Sequence, residues 1–411
     1  MNKTAAVLGA GAAGVCAALM LKRRGWEVML ADRKPPASET SQGNAGIISA
    51  SSAVPLNNPG LRRNIISLLA DKGGGLDWRW QYVAANISWF ARFFYYASAA
   101  QSKRRARALY LLISRAQKLH REWAAELDDN PVCRRGWIKA YRSARSFERG
   151  AFEREMWDGL GVSYEILNAA ETAAAPGILP VFHAAVRLPS AEAAVSPGGR
   201  IRAYAELFAR AGGRFVRGEI ARLERRKNEW EIQFTGGKTE RAAHALVALG
   251  PWSKNFLQNI NIRLPMGYER GGHRHFDMDE NAPPIVLCDM DGGYNAVMQN
   301  GKLRMTSGVH LADLESPPNA GQLDRAEEKL REAVAGAGKA NGEDWFGARP
   351  TLPDSLPAVG RLKPENLWLA TGGQHIGFMT APAIGELAAS LMSGETPPVP
   401  APPFAPSRFA I

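Results

Sequence analysis

Cysteine is scarce in this 411-residue chain. Cys16, Cys133 and Cys288 stand far apart, so no C-x-x-C pair and no metal-ligand spacing can be drawn from them. That argues against a disulfide-stapled secreted domain and a structural zinc site, and it favours a reducing compartment. No Ser/His/Asp constellation, no paired carboxylates and no internal repeat are found either. One apolar run, residues 5–21, could pass for a signal peptide or a membrane span. Three glycines interrupt it, a strand-like segment at 27–31 follows at once, and it is at the short end for a span of about 20 residues. Acidic residues are outnumbered, 40 against 51 Lys and Arg, for a net charge of +11. Such a surface suits nucleic acid, anionic lipid or acidic small molecules, and is equally the solvated coat of a basic protein. The length and a 45% hydrophobic content suffice for two lobes with substantial cores.

Glycine, by contrast, is placed with purpose. Residues 5–8 read as a short buried strand, Gly9-Ala-Gly11-Ala-Ala-Gly14 forms G-x-G-x-x-G, and residues 15–24 continue as a helix that ends at Gly25. Residues 26–31 supply a second strand, with Asp32 at its carboxyl end, 18 residues after Gly14. The first glycine permits the tight turn, the second admits a pyrophosphate to the backbone, and the third lets helix and strand close up. The helix N-terminus offers N–H groups to phosphate, and the acid accepts from ribose hydroxyls. The unit predicts a dinucleotide site in which Gly9, Gly11, Ala12, Ala13, Gly14, Asp32 and the following Arg33 contact the cofactor.

Further along, residues 38–49 are small and polar, suited to close approach of a flat ligand or to a plain surface loop. Residues 76–100 are rich in aromatics and residues 102–127 form a helix with a basic face. Together they could be an interfacial membrane patch or an ordinary helical subdomain. Strands are expected at 137–141 and 162–167, with a helix at 146–160 between them. A helix at 200–211 precedes strands at 214–217, 219–226, 229–235 and 245–249. Gly250-Pro-Trp252-Ser then opens another helix, a second approach to the same nucleotide. Strands at 264–277 and 285–310, a helix at 324–336, a strand at 367–371, a loop at 372–380 and a helix at 383–392 complete the pattern. The tail, 396–406, is too proline-rich for a helix or a central strand.

This arrangement predicts an α/β fold (α+β overall), with a Rossmann-like nucleotide domain interleaved with a substrate domain of β-sheet plus helices. The expected segments are 1–62, 196–260 and 345–411 for the first, and 63–195 and 261–344 for the second.

Several motifs, in order, resemble the FAD-dependent D-amino acid oxidase superfamily, and most closely the bacterial D-amino acid dehydrogenases and D-hydroxyproline-oxidising relatives. They are Val7-Leu-Gly-Ala-Gly-Ala-Ala-Gly14, Glu39-Thr-Ser-Gln-Gly-Asn-Ala-Gly46, Leu249-Gly-Pro-Trp-Ser253 and Tyr268-Glu-Arg-Gly-Gly-His273. Arg349-Pro-Thr-Leu-Pro-Asp-Ser-Leu-Pro-Ala-Val-Gly360 and Gly373-Gln-His-Ile-Gly-Phe-Met-Thr380 follow. The resemblance implies FAD held without a covalent link, with the flavin lined by Ser41, Asn44, Ala45 and Gly46. It extends the cofactor set to Ile220, Gly250, Trp252, Gly372, Gly377, Phe378, Met379 and Thr380. Arg349 corresponds to the arginine that pairs with the substrate carboxylate; a salt-bridged arginine at a domain joint is the plain structural alternative. His375, Tyr268, His273 and Tyr294 are further candidates for the substrate pocket, each of which could equally be a hydrogen-bonded core residue.

The implied reaction is oxidation of a D-amino acid, or of a cyclic or N-substituted amino acid such as D-hydroxyproline, by hydride transfer to flavin N5. The imine then hydrolyses or cyclises, and electrons pass to oxygen or a membrane quinone. The expected setting is cytoplasmic, with peripheral contact at the inner membrane as an option, and no nucleic acid partner. Alternatives are an NAD(P)-dependent dehydrogenase and a flavoprotein acting on tRNA. The chain departs from the family at Gly272, where relatives often carry tyrosine, at Gly372-Gly373, where many have Gly-His, and at His310, where relatives often have glutamate.

Overall fold

The first strand, Thr4–Leu8, is entirely apolar after its threonine, as a strand covered on both faces must be. In the computed structural model, which describes residues 3–61, 75–127, 132–134 and 136–411, it lies inside a six-stranded sheet. The order across that sheet is Arg214–Arg217, Glu27–Asp32, Thr4–Leu8, His244–Val247, Leu367–Thr371 and Ala358–Arg361. The first five run parallel and the last is antiparallel. Helix Ala12–Lys22 covers one face and is itself buried under Gly377–Met392, to which it fits through glycine. A Cβ on Gly385 would lie 2.5 Å from the Cys16 carbonyl carbon. Both helices begin at the carboxyl end of this sheet, so their N-termini share one neighbourhood.

A second, ten-stranded sheet stands over that neighbourhood. Its long central strand, Gly267–Asp277, has Trp345–Thr351 on one edge, and Lys302–Thr306 followed by Val309–Leu311 on the other. Tyr294–Gln299, Val286–Asp289, Trp137–Tyr141, Ala184–Leu188 and Glu165–Asn168 extend it outward. Residues alternate between its two faces. Tyr294, Ala296, Leu303, Met305 and Phe276 pack beneath helix Ala320–Ala333, whereas Glu269, Gly271, His273, Thr306 and Asn295 share the opposite face.

Some expectations shift. The segment 372–380 is a loop only to its middle, because Phe378, Met379 and Thr380 already belong to helix Gly377–Met392. The helix expected at 146–160 is two, Ala144–Arg149 and Ala151–Leu160, joined at Gly150. Strands Ala184–Leu188, Glu192–Ala194, Thr239–Ala242 and Trp345–Thr351 had no clear signal, being short or broken by Gly and Pro. The aromatic stretch forms strand Leu76–Trp78 and helices Trp80–Ala85 and Ile87–Tyr95. Tyr82, Trp89, Phe90 and Phe93 are buried, and Trp80, Ile87 and Tyr95 are exposed.

Candidate active site

One cavity of about 440 Å³ runs from the N-terminal glycine turn to the underside of the second sheet. Its first end is made largely of backbone. Gly9 adopts φ +110°, and a Cβ there would stand 2.5 Å from the carbonyl oxygen of Ala248. A Cβ on Gly14 would fall 1.8 Å from the carbonyl oxygen of Gly9, so only glycine lets helix and strand meet here. Gly11 differs: the nearest atom to its hypothetical Cβ is the Ser41 hydroxyl at 3.6 Å, and the residue lines the cavity. The helical ladder starts with the Val15 N–H donating to the Gly11 carbonyl, leaving the earlier N–H groups at the cavity end. The Ala12 N–H donates to Ser41 Oγ at 2.9 Å.

Asp32 closes this end. Its Oδ2 accepts from the Ala10 N–H at 2.6 Å and its Oδ1 from the Lys34 N–H at 3.0 Å. The carboxylate is thus fixed by the turn while still lining the cavity. Arg33 lies over the Trp252 ring at 4.7 Å, and Ile220 and Gly250 complete the wall. A glycine-walled cleft, a helix N-terminus and a fixed carboxylate suit the pyrophosphate and ribose of a dinucleotide. These residues fit FAD.

The middle of the cavity is a loop pinned from above. Arg304, buried at 6% exposure, donates to the carbonyls of Gln42 and Asn44 at 2.9 Å each, and to His275 Nε2 at 3.0 Å. Gln299 Nε2 donates to the Ala45 carbonyl at 2.6 Å. Asn44 Nδ2 reaches the His375 carbonyl at 3.2 Å, tying this loop to the C-terminal one. Ser41, Asn44 and Ala45 face the cavity from one side, and Gly372, Gly377, Phe378 and Met379 from the other. The floor is held by His120, whose Nε2 meets the Met379 carbonyl at 3.0 Å and whose Nδ1 meets Tyr204 Oη at 2.8 Å.

The far end depends on one arginine. Arg349 sits directly opposite Glu269 across the strand pair. Its guanidinium crosses over Gly271, where a Cβ would be only 2.6 Å from Nη2. It donates to the Gly308 carbonyl at 3.0 Å and, at longer range, to those of Ser307 and Arg270. No carboxylate oxygen lies within 4 Å of it among the described residues. Burial pulls its pKa down and the Glu269 charge opposes that, but a guanidinium stays protonated. Glu269 is buried beneath it, with its pKa raised by burial and its Oε2 unpartnered among the described residues. Arg349 therefore presents a cation that no carboxylate among the described residues has claimed.

His375 also lines this end. Burial and then the Arg349 charge push its pKa down to about 3, so it is neutral.

The remaining sequence candidates lie elsewhere. Tyr294 is on the opposite face of the sheet, its hydroxyl 3.4 Å from the Lys329 carbonyl, and does not line the cavity. Tyr268 also points away, into the core with Tyr82 and Trp89. One residue of strand parity separates Tyr294 from cavity-lining Asn295, and Tyr268 from Glu269, which lies beneath Arg349. His273 has the right parity but is screened by Trp345, stacked on it at 5.2 Å. Gly14, Gly46 and Thr380 support the wall rather than line it: Gly46 abuts the Ala194 carbonyl, and Thr380 Oγ1 donates to the Ile376 carbonyl. Asn295, Thr306, Trp137 and Trp345 line the cavity unanticipated. Asn295 and Thr306 share the Arg349 face only through the register of four neighbouring strands, which leaves no local signal in the sequence. At Gly272 the space of the missing aromatic is taken by Phe346, its cross-strand partner, whose ring is 2.8 Å from a hypothetical Cβ.

A family model described as FAD dependent oxidoreductase (DAO) matches residues 4–391. A D-amino-acid oxidase of Bradyrhizobium diazoefficiens is 30% identical, with 98% of both chains covered. A D-amino acid dehydrogenase of Chromohalobacter salexigens is 25% identical, with 96% of both covered. Among solved structures, glycine oxidase from Geobacillus kaustophilus gives a TM-score of 0.78 at 18% identity, covering 98% of this chain and 97% of that one.

Proposed function

The chain belongs to the FAD dependent oxidoreductase family, with FAD as its cofactor, and we propose that it oxidises a D-amino acid, or a cyclic or N-substituted one such as D-hydroxyproline. The product imine hydrolyses to a keto acid or cyclises. The observation that carries this reading is Arg349, a guanidinium at the cavity's far end with no protein carboxylate within 4 Å among the described residues.

When bound, FAD supplies the two-electron redox chemistry. The chain's own residues have the simpler task of placement. Arg349 offers a planar fork to the substrate carboxylate, fixing the orientation of the α-carbon above the cofactor loop. Neutral His375 adds no second positive charge beside the amine. The sheet above and helix Gly377–Met392 below exclude water from the space between. In this proposal the cofactor is non-covalent: neither Cys16 nor Cys288 lines the cavity. In this reading the nucleotide lobe comprises residues 1–62, 196–260 and 345–411, and the substrate lobe residues 63–195 and 261–344.

The electron acceptor in this reading is oxygen or a membrane quinone. Residues 78–121 contain no Asp or Glu, and Trp80, Ile87 and Tyr95 are exposed within that stretch, which favours peripheral contact with an anionic membrane by a cytoplasmic protein. No helix among the described residues is long and apolar enough to cross a bilayer. Flotation with anionic liposomes tests the contact: salt-sensitive co-flotation is expected, and its absence refutes it.

Anaerobic flavin reduction by a panel of D-, L- and N-methyl amino acids with hydroxyproline isomers tests the activity. D-amino acids or D-configured cyclic amino acids should bleach the flavin. Reduction by L-enantiomers alone would overturn the stereochemical assignment.

A further inference from the structure

Beyond Arg349, the substrate end of the cavity carries a further polar side chain, Asn295. The Arg349 guanidinium rests beside the Gly308 carbonyl, two residues beyond Thr306 on the neighbouring edge of the sheet. Thr306 is directly paired with Asn295 on the next strand, and both line the cavity. One strand spacing across and two residues along put Asn295 about 8 Å from the clamp. That distance is spanned by an amino acid with an extended side chain.

Asn295 Oδ1 is buried and has no hydrogen-bond partner among the described residues. A buried amide oxygen of this kind destabilises the site until a donor pairs with it. Among the described residues, Arg349 is the charged side chain that lines the substrate end. Lys139, on the same face, is paired with Glu153 at 2.5 Å. Arg304 lies outside the lining, its Nη1 donating to the carbonyls of Gln42 and Asn44 and its Nε to His275. Asp32, Glu39 and Glu219 line the cavity at its nucleotide end, and Glu269 lies beneath Arg349 outside the lining. Trp345 adds an aromatic wall.

Resting on the amino acid reading above, we infer that the substrate bears a single carboxylate and an uncharged side chain that reaches Asn295 and hydrogen-bonds its amide. Among the described residues, the lining at this end offers a second carboxylate no further cation, and an ammonium would lose its hydration with no lining acid to replace it. Asn295 sets side-chain specificity.

Reductive-half-reaction kinetics on the holoenzyme test this, with glutamine, norleucine, glutamate and lysine in the enantiomer that reduces the flavin. In the wild type, glutamine and norleucine should exceed glutamate and lysine in kcat/KM by about 100-fold, the scale of an unpaired charge in a closed site. Asn295→Asp should raise lysine relative to norleucine by at least about 10-fold. Asn295→Leu should lower glutamine while sparing norleucine, with flavin content unchanged in both variants. A purely structural role would shift all substrates by one factor, and that result overturns the inference. So does a wild type that prefers glutamate or lysine. If no amino acid reduces the flavin, the amino acid reading itself falls, and this inference with it.

Discussion

The two ends of the cavity are built in different ways. At the nucleotide end the wall is mostly main chain, and its geometry is set by which residues lack a Cβ: Gly9 and Gly14 cannot carry one, and Gly11 leaves its space to the ligand. At the substrate end the wall is mostly side chains, delivered by strands far apart in sequence that meet only in the sheet. Backbone sites tolerate almost no substitution and say little about the ligand beyond its phosphates. Side-chain sites can be re-lettered to suit another ligand.

Gly14→Ala probes the backbone end and should have the largest effect. With 1.8 Å to the Gly9 oxygen, the turn must open, and the purified protein should lose nearly all its flavin absorbance. Normal flavin content would show that the turn is softer than this comparison requires. Gly271→Ala probes the other end. The new methyl should push the Arg349 guanidinium aside, raising KM for the amino acid by about 10-fold, the loss of one charged hydrogen bond of about 1.5 kcal/mol, with flavin retained. Steady-state kinetics beside flavin content separate the two.

The buried histidines give a smaller, graded signature. Burial pushes His120, His273 and His375 down to about 3 from an ordinary 6.5. Between those values the unfolded chain binds more protons than the folded one, so stability is full above pH 6.5 and falls as pH drops toward 3. The Tm of the holoenzyme should therefore decline steadily below pH 6.5; a flat profile down to pH 4 would contradict the burial. Tyr294→Phe should do least, changing KM and kcat by less than about 2-fold, since the lost hydroxyl is buried on the opposite face of the sheet beside the Lys329 carbonyl. A larger kinetic effect would return Tyr294 to the pocket.

The same contrast explains what could be read in advance. Gly9 to Asp32 announced itself because strand, turn, helix and acid are consecutive. Arg349 was legible only through its resemblance to a family motif, since a guanidinium that crosses a neighbouring strand leaves no local pattern. Tyr294 and Tyr268 have the chemistry of pocket residues, but the two-residue period of a strand turns each to the face away from the cavity. Asn295 has no motif, and it acquires meaning from its pairing with Thr306. Arg304 was invisible for a related reason: its partners are carbonyl oxygens about 260 residues earlier in the chain.

The central claim is that Arg349 holds the substrate carboxylate. Anaerobic flavin-reduction titrations of wild type and Arg349→Ala, each with a reducing amino acid and its carboxamide, test it most directly. The account predicts that the variant keeps its flavin, that its kcat/KM for the amino acid falls by at least about 100-fold through loss of two charge-assisted hydrogen bonds, and that the carboxamide, already poor with the wild type, changes little. Equal losses for the acid and its amide, or an unchanged KM for the acid, would contradict it.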